Sequence, residues 1–435
     1  MNTEYLIVGI FIVTYVFISF RRVSKIKIER PAIALFGGIA MVFAGAISTQ
    51  EALSAIDLNT IALLLGMMLI VSALEISGFF NWAAVRVTKF ANTQFQLLSF
   101  IVVLTAVLSA LFLNDAVVLM LTPVVLKVAK TLRVDPVPYL VGEAMASNIG
   151  SVATPIGNPQ NAYIAMRSGI PFAQFVVYLL PLTIVCILIE ILVLKVVFRK
   201  ELSHPIMKVI TVEIEKIPKM HMEKAFHMIS VAKLLYASEI KNRRLLVFSL
   251  VVFGFVFVGF LVSSSALPIS IIAIAGGAMV FALVQPLCKV QSKDVLKGVD
   301  WGILIFFAGL FILLRAVENT VLMGLIEAYF IQKPSVFNLS FVTVVLSNLI
   351  SNVPAVMLLA PVSHVMPMEQ FYFTLAAIST LAGNATLLGA AANIIVAESA
   401  LSHGFELKFK QFLIAGLPTT VLTVIVATIY LFFVF

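Results

Sequence analysis

The pattern Ala-Thr-x-x-Gly-x-x-x-Asn occurs twice in this chain, as ATPIGNPQN at 153–161 and as ATLLGAAAN at 385–393. Both copies interrupt long apolar stretches, and the first also contains Pro155 and Pro159. Glycine permits backbone torsions that other residues avoid, and proline removes a backbone donor, so each copy predicts a break in a helix. Inside a membrane such a break is tolerated only where it is buried in protein or lines a watery cavity.

The regions around the two breaks have the composition of a membrane protein. Of the 435 residues, 61% are hydrophobic and 11% are charged, whereas soluble domains carry about 25% charged residues. Runs long enough to cross a bilayer, about 20 residues, lie near 4–20, 31–47, 58–79, 172–198, 244–263, 267–285, 302–322 and 411–434. We therefore predict an all-α integral membrane protein in contact with the lipid bilayer.

Charge placement predicts the orientation of the helices by the positive-inside rule. The segments assigned to the cytoplasm hold all but four of the 29 basic residues; they are 21–30, 80–96, 127–136, 199–244, 286–301 and 401–411. The first apolar run has no basic residue before it, so we treat it as a retained helix whose N-terminus lies outside. The net charge of +8 is then an orientation signal, and nucleic acid is not needed as a partner. We expect a multi-pass protein of the plasma membrane.

Four remaining apolar regions are irregular. For the alternation of sides to hold, 97–130 must enter and leave from the cytoplasm, and 336–364 must enter and leave from outside. We predict a re-entrant helical hairpin in each, with tips at Asn114 and near Asn352. The regions 139–165 and 371–400, which contain the repeated pattern, are predicted to be broken transmembrane helices.

An internal repeat unites these elements. Asp57–Glu75 matches Asp300–Glu318 as Asp-x8-Gly-x8-Glu, and Asn114–Val124 matches Asn352–Val362; with the opening pair, the three offsets are 243, 238 and 232 residues. The predicted orientation gives the two copies opposite directions across the membrane. We therefore predict two inverted-topology repeats, 1–200 and 244–435, joined by a cytoplasmic linker at 201–243 that contains an amphipathic segment.

Inverted repeats with broken helices are typical of secondary transporters, whose sites lie at the repeat interface near the membrane midplane. The alternative is that the small residues at the breaks only allow close helix packing. The residues predicted to contact the solute are Asn114, Asn352, Asn161, Asn393, Gly157 and Gly389; Asn161 and Asn393 could instead only cap. Those predicted to serve a coupling ion are Asp115, Thr154, Thr386, Ser151, Asn384 and Ser351. A sodium ion is expected at Asn114, Thr154, Asn352 and Thr386, with no other cofactor.

Ionisable residues at membrane depth cost about 2.5–3.5 kcal/mol each on insertion scales and are functional candidates by default. Asp115 adjoins the first hairpin tip and could carry a proton or sodium ion. Glu143 precedes the first break and is a second candidate for a proton. Arg315 and Glu318 are three residues apart on one predicted helix, so an ion pair and a role with the solute both stay open.

Other function classes have less support. No Ser/His, paired-Asp or His-rich constellation lies at membrane depth, so we do not expect an enzyme. The two cysteines, Cys186 and Cys288, lie outside both predicted sites. An ion channel is the alternative from a different class, but hairpins that enter from opposite faces suit alternating access better than a continuous pore.

At these motifs the chain resembles the ion transporter superfamily, which holds citrate–metal carriers, arsenite pump membrane subunits, NhaD-type sodium/proton antiporters and divalent-anion/sodium symporters. GMMLIVSALEISGFF at 66–80 resembles the arsenite and citrate branches, and NDAVVLMLTPVVL, from Asn114 onward, resembles the first hairpin of the arsenite branch. The two broken-helix motifs are similar to the paired loops of the whole superfamily.

The resemblance implies an ion-coupled secondary transporter of a small anion, an elevator-like motion and a homodimer. An arsenite-type exporter and a sodium/proton antiporter are the alternatives within it. Divalent-anion symporters carry Ser-Asn-Thr at both hairpin tips, whereas this chain has Ser351-Asn352-Val353 at one and Leu113-Asn114-Asp115 at the other. The missing threonines argue against a dicarboxylate as the solute.

Overall fold

The computed structural model describes residues 3–19, 29–88, 90–203, 240–264 and 266–435, and its elements are helices. The first half contains α1 (Thr3–Ser19), α2 (Arg30–Phe43), α3 (Thr49–Ala55), α4 (Leu58–Ser77), α5 (Phe79–Thr88), α6 (Gln94–Leu111), α7 (Asn114–Leu132), α8 (Val137–Ser151), α9 (Pro159–Ser168) and α10 (Phe172–Val197). A short α11 (Arg199–Leu202) follows.

The second half repeats this order. It contains α12 (Arg243–Leu261), α13 (Ile269–Cys288), α14 (Ser292–Lys297), α15 (Trp301–Val317), α16 (Val321–Gln332), α17 (Val336–Ile350), α18 (Asn352–Leu359) with a 3₁₀ turn (Ala360–Val365), α19 (Met368–Ala382), α20 (Ala391–Ser402) and α21 (Phe409–Val434). In each half a helical hairpin is followed by a broken helix. The predicted fold class, an all-α membrane protein of two inverted repeats, is confirmed.

The structure does not describe most of the predicted linker, and it divides the run at 302–322 into two helices. Most of the linker predicted at 201–243 lies outside the described residues, so its amphipathic segment stays a prediction, as do the boundaries of the two halves. The run at 302–322 is not one straight helix, because α15 ends at Val317 and the chain turns by 83° into α16. The polar sequence Glu318-Asn319-Thr320 accounts for the end of α15, and Thr320 is the first residue before α16.

Six helices are long and apolar enough to cross a membrane, and the bent pair α15–α16 is a seventh candidate among the described residues. The six are α4, α6, α10, α12, α13 and α21. The protein is therefore a multi-pass membrane protein.

Helices α2, α4, α13 and α15 form a layer in which each repeat packs against the other: α2 on α15, and α4 on α13. The glycine of the Asp-x8-Gly-x8-Glu motif explains this contact in both copies. A Cβ built on Gly66 would lie 2.3 Å from the carbonyl oxygen of Ala273, and one built on Gly309 would lie 2.4 Å from the carbonyl carbon of Ala34. Only glycine allows these backbones to approach so closely.

The hairpins and broken helices form a second layer against this one. Within each repeat the first hairpin arm packs on the first half of the broken helix, α6 on α8 and α17 on α19. Across the repeats, α7 packs on α20 and α18 packs on α9. These contacts bring the two hairpin tips close to the two breaks.

Candidate functional site

The first break is held in shape by an asparagine that follows it. The side-chain amide of Asn161 donates to the carbonyl oxygens of Ser151 (3.1 Å) and Thr154 (3.3 Å). Asn158 caps α9, since its side-chain oxygen accepts from the Asn161 backbone at 2.8 Å. Free carbonyls left by the break therefore find a donor inside the protein.

The second break is held in the same way. The amide of Asn393 donates to the carbonyl oxygens of Gly383 (2.9 Å) and Thr386 (3.0 Å). These residues lie 232 positions after Ser151 and Thr154, as Asn393 lies after Asn161. Both asparagines are fully buried, and their amides donate to carbonyl oxygens that the breaks leave without a helical partner.

The repeated glycines permit the tight loops of the breaks. A Cβ on Gly157 would lie 2.5 Å from the Ser151 carbonyl oxygen and 2.8 Å from that of Ser109. A Cβ on Gly389 would lie 2.6 Å from the carbonyl oxygen of Gly383. Both positions exclude a side chain because backbone atoms already occupy the space.

Each hairpin tip lies against the break of its own repeat. The backbone amide of Asn114 donates to the Gly157 carbonyl (2.9 Å), and the Thr154 hydroxyl donates to the Ala110 carbonyl (2.6 Å). In the second repeat, a Cβ built on Gly383 would lie 3.0 Å from the Asn352 amide nitrogen. Asn114 and Asn352 are both buried.

One asparagine that the sequence analysis did not select connects the two repeats. Asn148 accepts from the Asn114 amide (3.1 Å) and donates to the side-chain oxygens of Asn384 (2.8 Å) and Asn393 (2.9 Å). We call these four residues the asparagine network. Asn148 lies five residues before the first copy of the repeated pattern, and its counterpart in the second repeat is Thr380, so matching the repeats did not single it out.

A second polar contact crosses the repeats at Thr380. Its hydroxyl accepts from the amides of Asn158 (3.3 Å) and Gln160 (3.2 Å) and donates to the Ala376 carbonyl (2.8 Å). The Ser151 hydroxyl, predicted to serve a coupling ion, accepts from Asn158 at 2.8 Å. Ser151 and Asn384 thus both have protein partners.

The tip of the second hairpin is strained, whereas the first is not. Ser351 has φ +77° and ψ 160°, a backbone conformation that is almost confined to glycine. The corresponding turn residues of the first tip, Phe112 and Leu113, have ordinary negative φ values. The Arg30 guanidinium donates to the Ser351 hydroxyl at 3.4 Å, so a residue assigned only to the orientation signal contacts the tip.

A cavity of about 270 Å³ lies between the two layers. Its walls include both hairpin tips, Asn148 of α8, the second halves of both broken helices, and the beginnings of α2 and α15. The polar and charged residues that line it are Glu29, Arg30, Asn114, Asp115, Asn148, Gln160, Asp300, Ser351 and Asn352. Charge predicts that the starts of α2 and α15 are cytoplasmic, so the predicted orientation puts this cavity on the cytoplasmic side.

The cavity divides the predicted site residues. Asn114, Asp115, Ser351 and Asn352 line it. The other predicted residues lie at the two breaks and do not line the cavity; they are Asn161, Asn393, Gly157, Gly389, Thr154, Thr386, Ser151 and Asn384. Asn148, Gln160 and Arg30 line it without having been selected from the sequence.

Four helices begin at this cavity. The first residues of α7 (Asn114, Asp115), α9 (Pro159, Gln160) and α18 (Asn352, Val353), and the residues at the start of α20 (Ala390, Ala391), all line it. A helix N-terminus presents free backbone amides and a partial positive charge of about half an elementary charge. These four N-termini favour negative charge in the cavity, whereas the carboxylates of Glu29, Asp115 and Asp300 in its lining oppose it.

A second cavity, of about 310 Å³, lies toward the opposite side. Its walls come from α3, the end of α9, the end of α15 and the second hairpin, and include Tyr163, Arg167, Arg315 and Glu318. Arg315 forms an ion pair with Glu318, which accounts for their spacing. The Tyr163 and Phe311 rings, 5.8 Å apart, lie at the same cavity.

Several buried oxygens near the tips make no hydrogen bond to any described residue. Two are side-chain amide oxygens at corresponding positions, in Asn114 and Asn352, and two are hydroxyls at corresponding positions, in Ser109 and Ser347. Amide and hydroxyl oxygens are ligands that suit a hard cation. Within the described ranges, no group of three His, Cys, Asp or Glu side chains has the spacing of a metal site.

Comparisons with known proteins agree with this architecture. A family model described as citrate transporter matches residues 15–371. The chain is 30% identical over 448 residues to a 46 kDa membrane protein of Mycobacterium leprae, covering 98% of this chain and 97% of that one. It is 31% identical to a silicon efflux transporter of Oryza sativa subsp. japonica, covering 95% and 93% of the two chains.

A solved structure shares the fold. The YdaH transporter of Alcanivorax borkumensis aligns over 99% of this chain and 98% of its own, with a TM-score of 0.54 and 15% identity. At that identity the likeness concerns the arrangement of helices and not the solute.

Proposed function

This chain belongs to the citrate transporter family, and from that premise we propose that it is a secondary transporter of a small anion, driven by sodium or protons. The observation that supports an anionic solute is that four helix N-termini lie at one cavity. Their partial charges attract an anion without a fixed cation at the centre. Arg30, at the cavity wall, adds a full positive charge, which is set against the carboxylates of Glu29, Asp115 and Asp300 in the same lining.

Sodium coupling is supported by the buried oxygens at the hairpin tips. The side-chain oxygens of Asn114 and Asn352 make no hydrogen bond to a described residue. The hydroxyls of Ser109 and Ser347 also make none. We propose that each tip contributes such oxygens to a sodium ion, with Thr154 and Thr386 at the adjoining breaks. A bound cation would in turn lower the free energy of the anion beside it.

Asp115 supports a proton or sodium/proton antiport component. It is the one acidic residue at either hairpin tip, and it lines the cavity. A carboxylate that faces water on one side can exchange a proton or a sodium ion during each cycle. Asp115→Asn is expected to alter the pH or sodium dependence of transport, and an unchanged dependence would remove Asp115 from the coupling.

A second candidate solute is a neutral oxyacid. The amide-rich lining formed by Asn114, Asn148 and Asn352 can exchange hydrogen bonds with hydroxyl groups. The silicon efflux transporter among the relatives and a Dictyostelium discoideum protein named putative transporter arsB support this alternative. Both candidates use the same cavity.

We also propose that the cavity opens alternately to the two sides, and that the protein works as a homodimer in the plasma membrane. The second cavity, lined by Arg167 and Arg315 on the opposite side, is the place where the outward opening would form. Alternating access by one packed layer moving against the other suits inverted repeats.

The test is transport by purified protein in liposomes under imposed sodium and proton gradients. Citrate, dicarboxylates, sulfate, arsenite and silicic acid are each supplied, and flux is measured by isotope or elemental analysis. We expect gradient-driven flux of one of the anions. Flux of silicic acid or arsenite alone would favour the second candidate, and passive flux at rates far above those of carriers would indicate a channel.

The site is tested by Asn114→Ala and Asn352→Ala, each expected to abolish flux while the protein still folds. Asn338→Ala is the matched control, because Asn338 lies near the start of α17, away from the tip of the second hairpin; it is half-buried, and its partners are Tyr329 and Lys333. Wild-type transport by both tip variants would overturn the site assignment.

A further inference from the structure

We propose that Glu143 and Thr122 form a proton-carrying site that is separate from the solute cavity. This inference rests on the proposed function and names the residue that would carry a driving proton. Glu143 lies on α8, five residues before Asn148, and its side chain has no exposed surface. It does not line the 270 Å³ cavity.

The contacts of Thr122 require two hydrogens. Its hydroxyl oxygen lies 2.7 Å from the Val118 carbonyl oxygen and 2.9 Å from Glu143 Oε1. A carbonyl oxygen can only accept, and a hydroxyl has one hydrogen. Both contacts are hydrogen bonds only if Thr122 donates to Val118 and Glu143, as a neutral carboxylic acid, donates to Thr122. In this conformation the structure therefore fits a protonated Glu143.

Among the described residues, no cation pairs with Glu143 to stabilise its carboxylate. Glu143 Oε2 makes no hydrogen bond to a described residue, and no described Lys, Arg or His forms an ion pair with Glu143. Helices α6, α7, α10, α19, α20 and α21 pack against α8. Apart from α6, which has none, their titratable side chains are Asp115, Lys127, Lys130, Tyr178, Cys186, Glu190, Lys195, Glu369, Tyr372, Glu398, Lys410 and Tyr430. None of these donates to or accepts from Glu143.

Proton release has a defined local consequence. When the proton leaves Glu143, the Thr122 hydroxyl can rotate its hydrogen from the Val118 carbonyl to the new carboxylate, so one hydrogen bond replaces another. A buried carboxylate is far less stable than the neutral acid. Loss of the proton therefore favours a conformation in which α8 and α7 admit water or a cation to Glu143.

Helix α8 connects this event to the solute. At a rise of about 1.5 Å per residue, Glu143 lies little more than one turn from Asn148, and the two belong to one continuous helix. Thr122 lies on α7, whose first residue, Asn114, donates to Asn148. A displacement of α8 against α7 would thus change both the carboxyl site and the asparagine network.

A variant series in lipid tests the proposal without requiring a known solute. Infrared spectra of the wild type, recorded as the pH is raised in steps, are expected to show a carboxylic C=O band that disappears reversibly and is missing in Glu143→Gln. Glutamine keeps the shape of the neutral acid and can donate to Thr122, so this variant should fold. Glu190→Gln is the matched control: Glu190 is equally buried but has no hydroxyl partner, and we expect its loss to leave the titrating band in place.

Transport supplies the second readout. The solute is the one that the liposome screen identifies. Glu143→Gln is expected to reduce the flux driven by a pH gradient at least tenfold. Exchange of solute between the two sides of the membrane, without a gradient, should continue. Thr122→Val should shift the pH at which the infrared band disappears. A Glu143 band that persists at every pH at which the protein stays folded, or pH-driven flux retained in Glu143→Gln, would overturn the proposal. If the wild type moves no solute, the transport function fails, and the infrared titration still decides whether Glu143 exchanges its proton.

Discussion

The two broken helices have the same framework and different polar linings. Asn161 and Asn393 hold the two breaks through equivalent carbonyl oxygens, at the same offset of 232 residues. At the same offset, however, three polar residues of the first repeat have different counterparts. Asn148 corresponds to Thr380, Asn158 to Ala390 and Gln160 to Ala392. At the breaks, Asn161 and Asn393 thus maintain the fold in both repeats, whereas Asn148 and Gln160, which have no counterpart of the same type, line the cavity.

The largest difference is expected between Asn148→Ala and Thr380→Ala. Asn148 makes three side-chain hydrogen bonds across both repeats, and each buried group left without its partner costs about 1–3 kcal/mol. If the arrangement competent for transport loses this stabilisation, flux should fall by about a hundredfold or more, since 1.4 kcal/mol corresponds to a factor of ten. Thr380 keeps longer contacts, at 3.2 and 3.3 Å, and its loss should reduce flux by about threefold. Initial rates in liposomes measure both, and equal losses would contradict the asymmetry.

The glycines should show a smaller difference, in stability. At Gly157 an added Cβ meets backbone atoms of Ser151 and Ser109. At Gly389 it meets the Gly383 carbonyl and then the side chain of Asn348, which can rotate away. Overpacking costs about 1–3 kcal/mol, so we expect Gly157→Ala near the top of that range and Gly389→Ala near the bottom. Thermal unfolding in detergent is the measurement; a more stable Gly157→Ala would show that the first break can relax.

The smallest effect concerns the hairpin tips. Strain of the kind seen at Ser351 costs of order 1–3 kcal/mol, and glycine adopts that conformation freely, although it loses about 0.5–1 kcal/mol of backbone entropy on folding. We expect Ser351→Gly to unfold at a temperature one to a few degrees higher, by about 1 kcal/mol of net stability.

Ser351→Ala is the control for this tip, because it removes the hydroxyl contact with Arg30 but keeps the strained backbone. It should therefore not gain stability. A Ser351→Gly protein less stable than Ser351→Ala would show that the strain at the second tip is small.

The sequence could predict the hairpins and breaks because their signals are local. Asn114 and Asn352 begin helices at the two tips, and Gly157 and Gly389 lie where an added Cβ would come within 3 Å of backbone atoms. Asn148 and Arg30 were missed for opposite reasons: Asn148 lacks an asparagine partner in the second repeat, and Arg30 was one of many cytoplasmic basic residues.

The amino-acid order alone determined that this is a helical membrane protein with two inverted repeats, because hydrophobic runs, basic segments and glycine-rich breaks act over short distances along the chain. Only the folded arrangement decided which side chains meet. It placed Asn148 between Asn114, Asn384 and Asn393, brought four helix N-termini to one cavity, and buried Glu143 against Thr122. Such contacts join residues from different helices, and their geometry depends on how whole layers pack, which no local pattern specifies.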